Sequence, residues 1–248
     1  MSTIYILWLR QVKRYFRAKS RIIGSLGQPL LFLVAFGFGF GPIFQKAGQG
    51  NYLEFITPGI ISMSILFTAI FSGIEIIWDK QFGFLKETLV APVSRINIMI
   101  GRTIGGATVA VFQGLVVLVL STIIGFRPHD LTLLPVAFVF MFLIALLFAS
   151  LGTIIGSLLD DMQGFQLIIN FLVMPLFFLS GALFPLKNLP AVFAVIAAAD
   201  PLSYGIDGLR FSFGSPAHFG AGIDFIVLLV LCIILLLIGS RFFSKIQI

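Results

Sequence analysis

Leu131-Thr132-Leu133-Leu134-Pro135-Val136-Ala137-Phe138-Val139-Phe140-Met141-Phe142-Leu143-Ile144-Ala145-Leu146-Leu147-Phe148-Ala149-Ser150-Leu151-Gly152-Thr153-Ile154-Ile155-Gly156-Ser157-Leu158-Leu159 runs for 29 residues without a charged side chain. Asp160-Asp161 follows, and residues 162–186 are then uncharged for another 25. A helix crosses a bilayer with about 20 apolar residues, and an ionised group inside hydrocarbon is costly. Each interval therefore reads as one span, with the Asp160-Asp161 turn between them.

The same rule applied outward gives uncharged intervals at 22–45, 55–74 and 103–126, of 24, 20 and 24 residues. The second carries a span to about 77. Near the C-terminus the interval 225–240 has 16 residues, and the apolar 221–223 extends it around Asp224 to 221–240. The expectation is an all-α membrane protein, a single transmembrane domain over 1–248. Its six spans lie at 22–45, 55–77, 103–126, 131–159, 162–186 and 221–240. A seventh interval, 188–199, has 12 residues, too short to cross, and reads as a short interfacial or re-entrant helix. The first apolar run follows a basic, structured stretch of its own and has no small-residue cleavage site, so it does not read as a signal peptide.

Composition agrees. Hydrophobic residues make up 59% of the 248 and charged residues 10%; the mean hydropathy is +1.11. A soluble domain carries about 25% charged residues, so a soluble globular protein, a disordered chain and a coiled coil are excluded. The net charge of +6 belongs to loops facing anionic lipid rather than to a nucleic-acid site. Arg10, Lys13, Arg14, Arg17, Lys19, Arg21, Lys80, Lys86, Arg95, Arg102, Arg241 and Lys245 fall on one side of the six spans. Lys46, Arg127, Lys187 and Arg210 fall on the other. The positive-inside rule places both termini in the cytoplasm.

Residues 1–21 read as an amphipathic helix. Arg10, Lys13, Arg14, Arg17 and Arg21 share one arc; Ile4, Leu7, Trp8, Val12, Tyr15 and Phe16 fill the remainder, with Ile6 out of place among the cations. Such a helix lies in the headgroup layer against membrane lipids. In the second–third connection, Phe82, Leu85 and Leu89 recur at helical spacing, and Pro92 stops a helix expected over 79–92. Asp160-Asp161 has no cation beside it in sequence. In the outer segment, Asp200 can cap a helix with Pro201 at its first position. Two short outer helices are thus expected within 188–213, between spans five and six.

The chemistry is sparse. The glycine-rich stretches lack the Gly-Lys-Ser/Thr ending of a phosphate cradle, and no His/Cys/carboxylate cluster suggests a metal. No ionisable residue falls at mid-span, whereas ion-coupled carriers hold one there. Any uphill transport then draws its energy from another chain. Thr68, Ser72, Gln113, Ser121, Ser150, Asn170 and Ser180 are the mild polar groups available to a path that 29 Phe make apolar.

Three blocks resemble the permease subunit of type-2 ABC exporters, in its daunorubicin-resistance and nodulation-export branch. The first is Gln28-Pro29-Leu30-Leu31-Phe32 with Phe36-Gly37. The second is Phe82-Gly83-Phe84-Leu85-Lys86-Glu87-Thr88-Leu89-Val90-Ala91-Pro92-Val93-Ser94-Arg95 with Gly101-Arg102. The third is Phe178-Leu179-Ser180-Gly181-Ala182-Leu183-Phe184-Pro185, then Asn188-Leu189-Pro190, Asp200-Pro201-Leu202-Ser203-Tyr204 and Asp207-Gly208-Leu209-Arg210. One departure is Lys80-Gln81, where the family often has Arg-Glu.

The resemblance implies a bacterial or archaeal plasma-membrane protein that hydrolyses nothing and holds no cofactor of its own. It pairs with a second permease copy, as a homodimer, and each copy docks a cytoplasmic ABC ATPase that binds ATP-Mg, two in all. Phe82, Gly83, Leu85, Lys86, Glu87, Leu89, Pro92 and Arg95, with Arg10, Arg14 and Arg17, would make the coupling surface. Phe184, Pro185, Pro190, Asp200, Pro201, Tyr204, Asp207 and Arg210 would make the outer gate. The expected substrate is a hydrophobic or amphipathic drug-like molecule, with lipid-linked glycan or lipid as the alternative and an ATPase-independent carrier or channel less favoured. A cysteine introduced within 189–210 should react with an impermeant maleimide added outside intact cells; labelling from the cytoplasm alone would overturn the six-span topology.

Overall fold

The computed structural model describes residues 2–46, 51–85, 88, 92–186, 190–215 and 217–244, with Arg21 by its backbone alone. Helix α1 is Thr3–Arg17, capped by the Ser2 hydroxyl accepting from the Tyr5 N–H. Helix α2 is Lys19–Lys46. The second span is broken into α3, Tyr52–Phe71, and α4, Ile74–Gln81. Helix α5 is Arg95–Ile124, and a 3₁₀ turn, Leu131–Leu133, leads into α6, Leu134–Leu158. Helix α7, Met162–Leu179, contains a π-helical segment, Ile169–Val173, just ahead of Pro175. Proline has no N–H for the preceding turn, so the bonding there is already interrupted. Two short helices, α8 (Ala191–Ala199) and α9 (Pro201–Ser212), meet at 85° before α10, Ala221–Ser244. Among the described residues, six helical segments are long and apolar enough to cross a membrane.

Two of the span limits that differ from the charge-gap reading have a plain cause. The third span begins at Arg95, because Arg102 is buried and paired within the bundle instead of ending the helix. The fifth ends at Leu179, short of 186: Ser180 closes the helix and Gly181, with φ 76°, turns the chain away. The C-terminal helix runs to Ser244.

Helix α3 is the centre, packed by α2, α5 and α6. Helix α10 lies on α6, α9 and α5, and α1 lies along α5. The apolar face of α1 thus rests on a span. Leu7 and Tyr15 are buried, Trp8 Nε1 donates to Thr108 Oγ1 at 3.0 Å, and Ile6 faces out as its place on the wheel requires. At one end of the bundle, which we term the first, Arg95 donates to the Ser244 carbonyl at 2.9 Å. At the second end, the His129 N–H donates to Phe213 O at 3.1 Å and the Tyr52 hydroxyl to Leu183 O at 2.9 Å.

Side-chain hydrophobicity cannot drive one apolar helix onto another inside lipid, so close packing must. The closest approach is glycine on backbone. A Cβ on Gly152 would sit 2.5 Å from the Ile70 carbonyl oxygen, one on Gly73 would collide with the Gly152 carbonyl, and one on Gly156 with the Gly73 carbonyl. Gly152→Val should therefore lower the unfolding temperature and the yield of monodisperse protein, an overpacking cost of about 3 kcal/mol or more. Gly24→Ala, at a site with nothing within 4 Å, should leave both unchanged.

Candidate functional site

At the first end, two helices present matching charges at one-turn spacing. Arg10 and Arg14 stand on α1; Glu75 and Asp79 stand on α4. Arg10 reaches both Asp79 oxygens at 3.3 and 3.4 Å, and Arg14 reaches Glu75 at 3.5 Å. A third cation, Arg102 of α5, meets Asp79 Oδ2 at 2.6 Å. Asp79 is 6% exposed and Arg102 3%, so both are out of water. Among the described residues Arg102 Nε and Nη1 have no hydrogen-bond partner, and Asp79 is the carboxylate that its guanidinium contacts. Charge-assisted bonds of this kind strengthen as water is excluded.

Helix α4 is held on its other side by Lys80. Its ammonium donates to the carbonyls of Ser157 and Leu159 at 2.8 and 2.9 Å and pairs with Asp160 at 3.0 Å. Gln81 adds a bond to the Asp160 carbonyl at 3.1 Å. A cation at the carbonyl end of α6 satisfies acceptors that the helix cannot. The acidic turn thus has its cation, brought from a distant part of the sequence, and Lys80-Gln81 is the pair that supplies the contact.

The expected coupling residues are placed as follows. Residues 79–81 belong to α4, and Gly83, with φ 78°, separates them from the helical turn at Phe84 and Leu85. A single helix from 79 to 92 would need a right-handed helical conformation at Gly83, so Phe82 and Leu85 do not share a face. Phe82 is 82% exposed, while Leu85 is buried with Leu7, Ile76, Ile98, Met99 and Phe243. Arg10 lies 3.9 Å over the Phe84 ring, a cation–π contact that ties this turn to α1. Pro92 is exposed, Arg95 reaches α10, and Arg17 is exposed beyond the clamp. Lys86, Glu87 and Leu89 lie outside the described residues.

Above the clamp a cleft of about 440 Å³ opens between α2, α3, α4 and α7. Its polar groups are neutral: Gln28, Ser64, Thr68, Gln166 and Asn170, among phenylalanines and Trp78. Asn170 stands in the π-helical segment, a distortion that often marks functional positions. Of the seven mild polar residues available to a path, Thr68 and Asn170 line this cleft. Ser72, Ser121, Ser150 and Ser180 bond back to carbonyls of their own helices, and Gln113 accepts from the Tyr15 hydroxyl.

At the second end, α9 gathers most of the expected gate residues. Asp200 caps it, accepting from the Leu202 N–H at 2.9 Å, with Pro201 at the first helical position. Tyr204 bonds across the bend to the Ala198 carbonyl at 2.7 Å. Asp207 accepts backbone N–H bonds from His218 and Phe219. Arg210 donates to Gly181 O at 2.7 Å and lies 4.2 Å over the Phe55 ring. Phe184 and Pro185 line a separate aromatic groove against Phe36, Phe40 and Tyr52, and Pro190 is the exposed N-cap of α8. Glu75, Asp79, Arg102, Gly181, Phe55 and Asp224 are participants the sequence reading did not assign. The four-residue spacing of Glu75 and Asp79, equal to that of Arg10 and Arg14, was the signal available.

Comparison with known proteins yields one family: the family model described as "ABC-2 type transporter" matches residues 2–214. The chain is 31% identical to a putative transport permease, ycf38, of Cyanophora paradoxa over 81% of this chain and 71% of that one. It is 29% identical to nodulation protein J of Rhizobium leguminosarum bv. viciae, over 83% and 77%. It is 26% identical to the inner membrane transport permease YadH of Escherichia coli K12, over 84% and 81%.

Asp79→Asn should destabilise the protein by about 3–5 kcal/mol, because it strands a buried guanidinium. Arg10→Ala, removing a one-third-exposed cation, should cost no more than about 1 kcal/mol. Tryptophan fluorescence during unfolding in mixed micelles measures both; equal losses would show that Asp79 is not the centre of the clamp.

Proposed function

Since the chain belongs to the ABC-2 type transporter family, and is the membrane subunit of an ABC transporter, we propose that it lines the export route for a hydrophobic or amphipathic small molecule and couples that route to a separate ATPase. The observation that supports this reading is that one short helix, α4, is shared by the charge clamp and the cleft. Asp79 and Glu75 fix it to α1, and Lys80 fixes it to the end of α6. Ile74 and Trp78 on the same helix line the cleft, and Arg14 stands 5.5 Å over the Trp78 ring.

Mechanically, a load applied at the turn after Gln81 reaches the cleft wall through a helix held on two sides. In this proposal the first end is cytoplasmic. The ATPase seats against Phe82 and the residues up to Pro92, beside the exposed cations Lys13 and Arg17 of α1. ATP binding in the partner draws two such subunits together, and α4 transmits the movement. Among the described residues the cleft carries no charged lining side chain, which suits an apolar body with neutral hydrogen-bonding groups and disfavours a strongly hydrated ion. A second copy of the chain completes the pathway, and α8–α9 close it at the second end.

Co-expression with its ATPase, followed by affinity capture and ATP-dependent daunorubicin transport in proteoliposomes, tests the proposal. Glu87→Arg should weaken ATPase association roughly tenfold or more and abolish transport, with membrane insertion intact, because a surface charge reversal acts on docking and not on folding. Normal association and normal transport in that variant would remove residues 82–92 from the docking surface.

A further inference from the structure

Two walls of the cleft carry side chains of complementary kinds. On α3, Ser64, Phe67, Thr68 and Phe71 share one face at one-turn spacing, so hydroxyls and rings stand together. The Phe67 and Phe71 rings are 6.5 Å apart and nearly parallel, and Trp78 of α4 adds a third ring. On α7, Gln166 and Asn170 line the opposite wall. Asn170 Oδ1 accepts from Gln166 Nε2 at 3.5 Å, an orientation that leaves the Asn170 amide N–H groups as donors.

The hydroxyls of Ser64 and Thr68 behave unlike others in this chain. A serine or threonine inside a helix can give its proton to a carbonyl one turn back. Thr57 gives its own to Leu53 O at 2.6 Å, and Thr108, Ser121, Ser150 and Ser157 do likewise. Among the described residues, neither Ser64 nor Thr68 makes a side-chain hydrogen bond. Ser64 is 4% exposed and Thr68 is half-buried. Ser62 and Ser203 are also buried and unpaired among the described residues, but they do not line this cleft. A donor out of water without an acceptor is costly, and a bound acceptor recovers that cost. The ligand must itself be neutral. Among the described residues no charged side chain lines the cleft, and Arg14, over the Trp78 ring, is paired with Glu75. An ionised ligand would lose its hydration there without a counter-charge.

We propose that Ser64, Thr68 and Asn170 form a binding site for the carbonyl oxygen of an uncharged aromatic molecule, whose rings pack on Phe67, Phe71 and Trp78. The three side chains donate to the oxygen from two walls, and the rings hold the apolar body. The site rests on the reading of the cleft as part of the export route and names what that route selects. Donors committed to an acceptor reject an analogue that lacks it more strongly than an apolar pocket rejects a change of size.

Benzophenone is a neutral probe of this chemistry, and under light its ketone cross-links to nearby C–H groups. Azidobiphenyl is a neutral aromatic photoprobe without a carbonyl, and benzoylbenzoate carries the same ketone with a charge. Each is titrated against the full-length protein in phosphatidylcholine nanodiscs without an ATPase, and labelled peptides are identified by mass spectrometry. Benzophenone should label Met63 of α3 or Met174 of α7, which line the same cleft. Its half-saturating concentration should rise about tenfold in Thr68→Val, in Ser64→Ala and in Asn170→Leu, and Thr68→Ser should restore the wild-type value. Azidobiphenyl should label the cleft with the same half-saturation in wild type and in every variant. Benzoylbenzoate should need about tenfold more than benzophenone in the wild type. The positions are changed singly, so a variant lost to misfolding leaves two that read the same split. Benzophenone labelling that misses the cleft, variants that weaken both neutral probes alike, or benzoylbenzoate that labels as readily as benzophenone overturns the proposal. The export reading fails separately: ATP-dependent transport that persists after the cleft is covalently filled removes the cleft from the route and leaves the carbonyl site standing.

Discussion

Backbone lies against backbone where α6 passes the break in the second span. Gly73, Gly152 and Gly156 leave no room for a side chain on either helix, and this contact sets where α4 can run. Because Gly73 touches α6, α4 continues alongside it to Lys80, whose ammonium meets the three acceptors at residues 157, 159 and 160. The opposite face of α4 then presents Glu75 and Asp79 to α1 and Trp78 to the cleft. Clamp and cleft wall are consequences of one close packing.

The placement of charge follows from the same geometry. A buried carboxylate is stable where cations and donors converge on it, and at the first end three acidic residues have cation partners. Asp79 has two arginines, Glu75 has Arg14, and Asp160 has Lys80. At the second end Asp207 relies on backbone N–H groups and Arg210 on a carbonyl and an aromatic face. The first end is a cross-linked network spanning four helices. The second is a set of local caps and contacts on two short helices that bend by 85°. That contrast is what the proposed division of labour, with force transmitted at the first end and opening at the second, requires.

Much of this was legible in the chain. The six spans, the inward apolar face of α1, the Asp200-Pro201 start of α9 and the family blocks all follow from local pattern. Three features misled. Arg102 reads as a boundary, because a charge in an apolar run is assumed to meet water; its partner, Asp79, stands 23 residues earlier on another helix. Residues 79–92 read as one helix, because apolar spacing does not reveal the positive φ of Gly83. Asp160-Asp161 looked unpartnered because Lys80 is 80 residues away.

The sequence by itself determined how many helices cross and what they are made of, since the cost of a charge in hydrocarbon is a property of each segment alone. It also determined the caps and turns, which are settled within a few residues. Tertiary structure decided which charges meet, where the polar side chains turn and which helix joins the clamp to the cleft. Those depend on distances between residues far apart in sequence, fixed by how closely glycine lets two backbones approach.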